Sequence, residues 1–583
     1  MRKAAELSIE MKPADPLQEL AEREARAKAM GGEDKIARQK KKGRLTARER
    51  IDALLDPDSF DEHGLLAHSD LAEAAEKTPA DGKVTGFGAI EQRPVYVAAD
   101  DVTVMAGAGG RVGVGKQMRG FEYAARHGYP CIHLGDAGGA RVPDIMGSAG
   151  MMSMVYPIKD TAPRDRAVPL ITAIMGECFG GAAWTASISD IVIQVKGTTM
   201  CVGGPSILEI ATGEKASLEE LGGWELHAKV TGQVDLFAEN DAECLALVRK
   251  ALSYFPNAAA QIPPPASPSA PFDKGAKERS APALDAPLSK GAARQRGGIS
   301  GAAGASDRLE NILDLVPADP RHVYDMHRVI DAIVDPGSVL ELKPLFDGSL
   351  ITALARIDGQ VVGVLANNPK VTAGAMGPGA CEKATSFICL CDSFDMPMVF
   401  LHDMPGFLVG KRAEEGAMPL KIMNWIEALH HSTVPRISVV VRKSYGMAHC
   451  NMSGGNMGND LLLAWPNADI SFMAPAVAVN VVHGRKLAAS ELAAGESNPL
   501  VKGGRATARG DLAEAQPTPR ESLMIEISRA NAPWDAAGKN YIDRVIDPRD
   551  TRIELIRALQ RARGADGNSG RSKRLLANWP RMA

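Results

Sequence analysis

The chain has 583 residues, 45% of them hydrophobic and 24% charged, with a formal net charge of −4. That length exceeds one ordinary domain, the composition is that of a globular protein, and so small a charge gives no nucleic-acid surface. No apolar stretch reaches transmembrane length, and eight scattered cysteines without a CxxC pair argue against disulfides and zinc ribbons.

Met1 to Pro16 is charged and has no apolar signal core, which points to a cytoplasmic or processed protein. Residues 21–56 are rich in Ala, Glu, Lys and Arg at helical spacing. Thr46 followed by Glu49 is a capping-box pattern, so a helix starts near Thr46 and buries Ile51, Leu54 and Leu55. Lys40, Lys41 and Lys42 form a solvated face or touch a phosphate. Val84 to Ile90 and Pro94 to Ala99 read as strands, with the turn at Arg93-Pro94. Glycines 107, 109 and 110 then open a helix that runs to about His127. A strand from Cys131 to Leu134 leads into Asp136-Ala137-Gly138-Gly139-Ala140-Arg141. Strand, glycine turn and helix in alternation predict an α/β fold, with the glycines at the ligand edge of the sheet.

A further apolar run, Val168 to Met175, stops in Gly176-Glu177-Cys178-Phe179-Gly180-Gly181-Ala182-Ala183. Such a turn lets backbone N–H groups reach a ligand, and two of them can hold an oxyanion. His227 reads equally as a catalytic residue or a packed one. Residues 256–307 are dense in Pro, Ala, Gly and Ser and read as a linker. After it the chain repeats itself. Val95 to Asp101 is answered by Val362 to Asn368, Ala106 to Gly109 by Ala373 to Gly377, Pro130 to Asp136 by Pro397 to Asp403, and Val168 to Ile171 by Val434 to Ile437. The offset stays at 266 or 267 residues, which makes two similar domains from one duplication. Ile437 to Val441 leads into the second turn, Arg442 to Ala448. The segment from Gly503 onward reads as largely helical, with a loose end at residues 564–570.

No GxSxG, Walker A, HExxH or strand-linked GxGxxG occurs. With no activated side-chain nucleophile and no metal site, two backbone oxyanion turns suit enolate chemistry.

Gly43 to Asp56, Gly138 to Arg141, Gly176 to Ala183, Glu219 to Gly223, Asp403 to Phe407 and Trp465 to Ala468 together resemble the carboxyltransferase (β) subunit of biotin-dependent acyl-CoA carboxylases, the family of the propionyl-, acetyl- and methylcrotonyl-CoA enzymes. The resemblance implies two duplicated crotonase-like domains: an extension at 1–36, a first domain at 37–256 on the acyl-CoA side, the linker at 257–307, a second domain at 308–560 on the biotin side, and a tail at 561–583. It implies a homohexameric core, with each active site between the first domain of one copy and the second domain of another. It implies acyl-CoA as substrate, and biotin carried by a biotin carboxylase or carboxyl carrier partner. The chain lacks the carrier's Met-Lys signature and an ATP-grasp region. By position, Gly180 and Gly181 would hold the thioester enolate oxygen, and Met447 and Ala448 the biotin ureido oxygen. Gly138, Gly139, Ala140 and Arg141 would line the acyl-CoA side. Arg141 is otherwise a salt-bridge partner.

Several positions depart from the family pattern. Met447 replaces a glycine, and its N–H serves as a donor only if φ is negative there. His449 replaces a tyrosine, Asn451 an apolar residue, and Cys450 an aspartate by the acyl pocket, where it reads as a pocket wall and not a nucleophile. The alternatives are a subunit running the reverse, decarboxylating transfer, a crotonase-type hydratase or isomerase, and a crotonase-fold scaffold of altered activity.

Overall fold

The computed structural model describes residues 15–153, 166, 168–256, 309–319, 322–455, 457–482 and 518–562. The expected linker and nearly all of the tail lie outside them.

Two eight-stranded mixed sheets carry the fold. The first contains β1 (Asp61–Glu62), β2 (Lys83–Ile90), β3 (Arg93–Asp100), β4 (Cys131–Ala137), β5 (Leu170–Phe179), β6 (Ile191–Val195), β7 (Thr199–Cys201) and β8 (Leu236–Ala238). The second contains β9 (Leu340–Leu342), β10 (Leu350–Ile357), β11 (Gln360–Asn367), β12 (Met398–Met404), β13 (Arg436–Tyr445), β14 (Leu461–Ala464), β15 (Asp469–Ser471) and β16 (Arg544–Val545). The orders are β1-β2-β3-β4-β5-β6-β8, with β7 on β5, and β16-β14-β13-β12-β11-β10-β9, with β15 on β13. Each strand of one sheet thus has its counterpart in the other. In each an antiparallel hairpin leads into a parallel run. The parallel strands β4, β12 and β13 are buried along their whole length, as strands covered on both faces must be.

Thr46 caps the helix Ala47–Leu54 through a complete capping box with Glu49, and Ile51, Leu54 and Leu55 are buried. The β2–β3 turn falls at Glu91 and Gln92, both at positive φ, and not at Arg93-Pro94. The Asp56 carboxylate fixes it there by accepting both N–H groups, at 3.0 and 2.8 Å. A helix spans Glu33–Lys41, across the expected boundary at 36.

One apolar core runs through both repeats, including Val97, Leu134 and Ile171 of the first and Leu354, Phe400 and Trp425 of the second. Phe255 meets Phe394 edge-on at 4.8 Å. Arg356 donates to the Ser253 carbonyl at 2.7 Å and Lys250 to the Val339 carbonyl at 3.0 Å. No helix among the described residues is long and apolar enough to cross a membrane.

Candidate active site

The two glycine turns are shorter than the sequence suggests. Strand β5 runs to Phe179 and β13 to Tyr445, because β7 and β15 pair with their ends. What remains of each turn is one glycine, Gly180 at φ 55° and ψ −114° and Gly446 at φ 63° and ψ −155°. Those angles are closed to side-chain-bearing residues. A helix starts at once after each, Gly181–Ser187 and Met447–Asn451.

Gly180 is not a free donor. Its N–H bonds the carbonyls of Cys201 and Val202, at 3.2 and 3.1 Å. Gly446 likewise donates to Ser471, at 2.9 Å. The uncommitted donors are the next two residues, at the head of each helix, where an α-helix leaves its first N–H groups unpaired. These are Gly181 and Ala182, and Met447 and Ala448. The repeat offset already carries this correction, since 266 residues separate Gly181 from Met447 and Ala182 from Ala448. Met447 has no positive φ, so its side chain costs the backbone nothing as a donor.

In the first repeat, Gly181 and Ala182 open into a cavity of about 140 Å³ that Gly139 and Ala140 also line. Two loops are clamped together at its rim. Gly109 donates to the Gly139 carbonyl and Arg141 N–H to the Gly109 carbonyl, each at 2.8 Å. Gly138 donates to Ala106 at 2.9 Å, which holds the loop from behind. The second repeat repeats the clamp with Met376, Gly406 and Leu408.

Arg141 does not line the cavity. Its guanidinium is buried and bonds Asp81 at 2.6 Å and Asp144 at 2.6 and 2.8 Å. Burial opposes ionisation of Asp144, yet Arg141 holds its carboxyl below the usual range. Arg141 therefore braces the loop from beneath. His227 is also structural: it is buried, with Nε2 2.7 Å from the Met200 carbonyl and Nδ1 3.0 Å from Thr231 Oγ1, and burial lowers its pKa.

The cavity's inner end is polar in a way no local motif signals. Lys83 and His133 line it, and both bond the carboxylate of Asp100, His133 at 3.3 Å. Burial opposes ionisation of Asp100, but Lys83 and His133 hold its carboxyl well below the usual range.

In the second repeat, Met447, Ala448 and Cys450 share one short helix, and none of them lines the first repeat's cavity. Beneath that helix runs an ordered relay. Gly455 N–H donates to His449 Nε2 at 3.0 Å, so Nδ1 carries the ring proton. It donates to Ser444 Oγ at 2.8 Å, and Ser444 donates to His402 Nδ1 at 3.0 Å. Burial pushes His449 down to about 4 and, together with His449, His402 well below its usual value. Burial raises the Cys450 thiol, which does not make a thiolate nucleophile.

Residues 38–566 match the family model described as the carboxyl transferase domain. The chain is 34% identical over 552 residues to the propionyl-CoA carboxylase beta chain of Saccharopolyspora erythraea, covering 94% of this chain and 93% of that one. It is 31% identical over 544 residues to the methylmalonyl-CoA decarboxylase subunit alpha of Veillonella parvula, covering 93% and 94%. Among solved structures, transcarboxylase 12S, described as a hexamer assembly with methylmalonyl-coenzyme A and methylmalonic acid bound, superposes with a TM-score of 0.75 at 32% identity, over 93% of this chain and 95% of that one.

Proposed function

The chain belongs to the carboxyl transferase family, and from that premise we propose that it is the carboxyltransferase subunit of a biotin-dependent acyl-CoA carboxylase, with one oxyanion site in each repeat. Its enzymatic class, moving a carboxyl group to or from an acyl-CoA, follows from the family. The division of labour is our reading, as is the division of the chain at 37–256 and 308–560.

One observation carries it: both repeats present two uncommitted N–H groups at equivalent helix heads, each behind a single left-handed glycine. In the first repeat, Gly181 and Ala182 hold the thioester oxygen as it gains charge. Gly139 and Ala140 form the opposite wall. Preorganised donors of this kind are each worth ~3–4 kcal/mol in the transition state of other enzymes.

The residues at the second helix head suit biotin. Met447 and Ala448 offer donors for a ureido oxygen, and exposed Met447, Val409 and Phe472 offer apolar cover for its ring system. When bound, carboxybiotin on a partner subunit supplies the carboxyl group. The chain's own contribution is to orient and polarise, through backbone dipoles at both ends of the transfer. Val142, Met146, Trp184 and Val202 are also exposed near the first site. Apolar surface on both repeats invites cover by a second copy, which supports a homohexamer with sites shared between copies.

The test is a streptavidin-probed pull-down from native extract, followed by fixation of radiolabelled bicarbonate with acetyl-, propionyl-, butyryl- and longer acyl-CoAs. A biotinylated partner with ATP-dependent fixation is expected. A biotinylated partner without fixation reverses the direction to decarboxylation, the activity that the Veillonella relative's name carries. If no biotin protein co-purifies, the biotin-dependent reading fails.

A further inference from the structure

The two repeats share backbone, register and turns, so each serves as a control for the other. Lys83 pairs with Asp100 across β2 and β3, and Ala98 beside it pairs with His133 on β4. At the same places the second repeat has Leu350, Asn367 and Phe400. The helix Arg111–His127 carries Gln117 over this floor, where the second repeat's helix Pro378–Ser393 carries Ala384. The fold therefore does not need a lysine, an aspartate, a histidine or a glutamine here. Burying them costs free energy that Leu, Asn, Ala and Phe would not.

All four are buried, with Gln117 4% exposed and His133 1%. Lys83, Gln117 and His133 line the cavity that Gly181 and Ala182 open into. They are left with spare hydrogen-bonding capacity. The Lys83 ammonium has three N–H groups and bonds only Asp100 among the described residues. His133 Nδ1 is buried without a partner among them, and the Gln117 side chain lines the cavity and makes none of the side-chain hydrogen bonds described above. With Nε2–H donated to Asp100, Nδ1 is an acceptor on the neutral ring and a donor on the protonated one, a polar group to be matched in either form. Asp100 balances Lys83, so the set is polar without a strong net charge.

We propose that Lys83, Asp100, Gln117 and His133 select the acyl group, favouring a short chain that bears an uncharged oxygen, hydroxyl or ketone, over an alkyl chain of equal length. The inference rests on the reading of Gly181 and Ala182 as the thioester site. The thioester oxygen sits at the helix head and the chain points inward. Its oxygen accepts from Lys83 and the Gln117 amide, and a hydroxyl donates onward to an unpaired acceptor of the set. An alkyl chain leaves these buried groups without partners, which is how a hydrogen-bonding site rejects an analogue that lacks the matching group.

The test is calorimetric binding of butyryl-, 3-hydroxybutyryl-, 4-hydroxybutyryl- and succinyl-CoA to the full-length oligomer. One hydroxybutyryl-CoA is expected to bind at least about tenfold more tightly than butyryl-CoA. The combined variant Lys83→Leu, Asp100→Asn, His133→Phe copies the second repeat and should bring that ratio to about one. The single variant Gln117→Ala should reduce it, which keeps the test open if the combined variant fails to fold. Equal binding of butyryl- and hydroxybutyryl-CoA by the wild type overturns the selector and leaves the thioester site standing. So does tightest binding of succinyl-CoA. Binding of no acyl-CoA at all overturns both.

Discussion

Arg442 stands on its strand where Gly176 stands in the first repeat, and the two positions face equivalent buried carboxylates, Asp403 and Asp136. A Cβ at Gly176 would lie 1.8 Å from Asp136 Oδ1, so no side chain fits. Asp136 instead receives Arg50 from the Ala47–Leu54 helix, at 2.9 Å. In the second repeat Arg442 itself bonds Asp403 at 2.9 Å, with Lys443 at 3.6 Å. One electrostatic need, a counter-charge beneath the loop at the end of β4 or β12, is met from two different places in the sequence. Arg50 also bonds Asp241, at 2.9 Å. Arg50→Ala should leave two buried carboxylates uncompensated and cost about 3–5 kcal/mol. Arg442→Ala should cost less, because Lys443 remains. Denaturant unfolding of the two variants checks the order. Equal losses would show that Lys443 does not compensate.

The backbone donors can be tested without touching side-chain chemistry. Gly181 is the first residue of its helix, the position where proline fits and where its missing N–H is not needed by the helix. Gly181→Pro should lower kcat by about 10²–10³-fold, the cost of removing one oxyanion donor. Gly181→Ala keeps the N–H and should lose far less. Met447→Pro should behave as Gly181→Pro does, while Met447→Gly stays near wild type, since φ there already suits any residue. Turnover with melting temperatures for all four separates a lost donor from a lost fold.

These features differ in how legible they are. The duplication, the strands and the Thr46–Glu49 cap rest on local patterns and a constant offset, and the chain displays them openly. The fate of the Gly180 N–H depends on Cys201 and Val202 returning to it from β7, which no local pattern announces. Arg141 reads equally as a ligand contact or a brace, until Asp81, sixty residues away, decides for the brace. Lys83, Asp100, Gln117 and His133 come from four separate elements and form no motif. Only the comparison of the two repeats in space isolates them.

The relay under the second helix predicts a pH response. The folded chain protonates His449 only near 4, whereas the unfolded chain does so near the ordinary value of ~6.5. Between those values the unfolded state binds more protons, so stability falls as pH drops through the window. Burial shifts His402 in the same direction, and the two contributions add. A proton on His449 Nε2 would also face the Gly455 N–H that now donates to it. His449→Gln should therefore flatten, without abolishing, the fall in melting temperature from pH 6.5 to 4. An acid limb identical to the wild type's would mean that His449 titrates normally.

Cys450 tests whether the second repeat shapes acyl choice as well. It lies three residues beyond Met447 on the same short helix, so both project from one face. It is only half-buried in the single chain, and it fits the reading in which this helix closes over the first repeat of another copy. Cys450→Asp would place a carboxylate at that closure. The expected result is a shift of about 10–200-fold in the ratio of kcat/KM values between acetyl- and butyryl-CoA, the range that small changes in a substrate pocket command. The shift should appear in the assembled oligomer with little change in melting temperature. An unchanged ratio with unchanged stability would move Cys450 off the acyl pocket, and leave the choice of acyl group to Lys83, Gln117 and His133 on the first repeat.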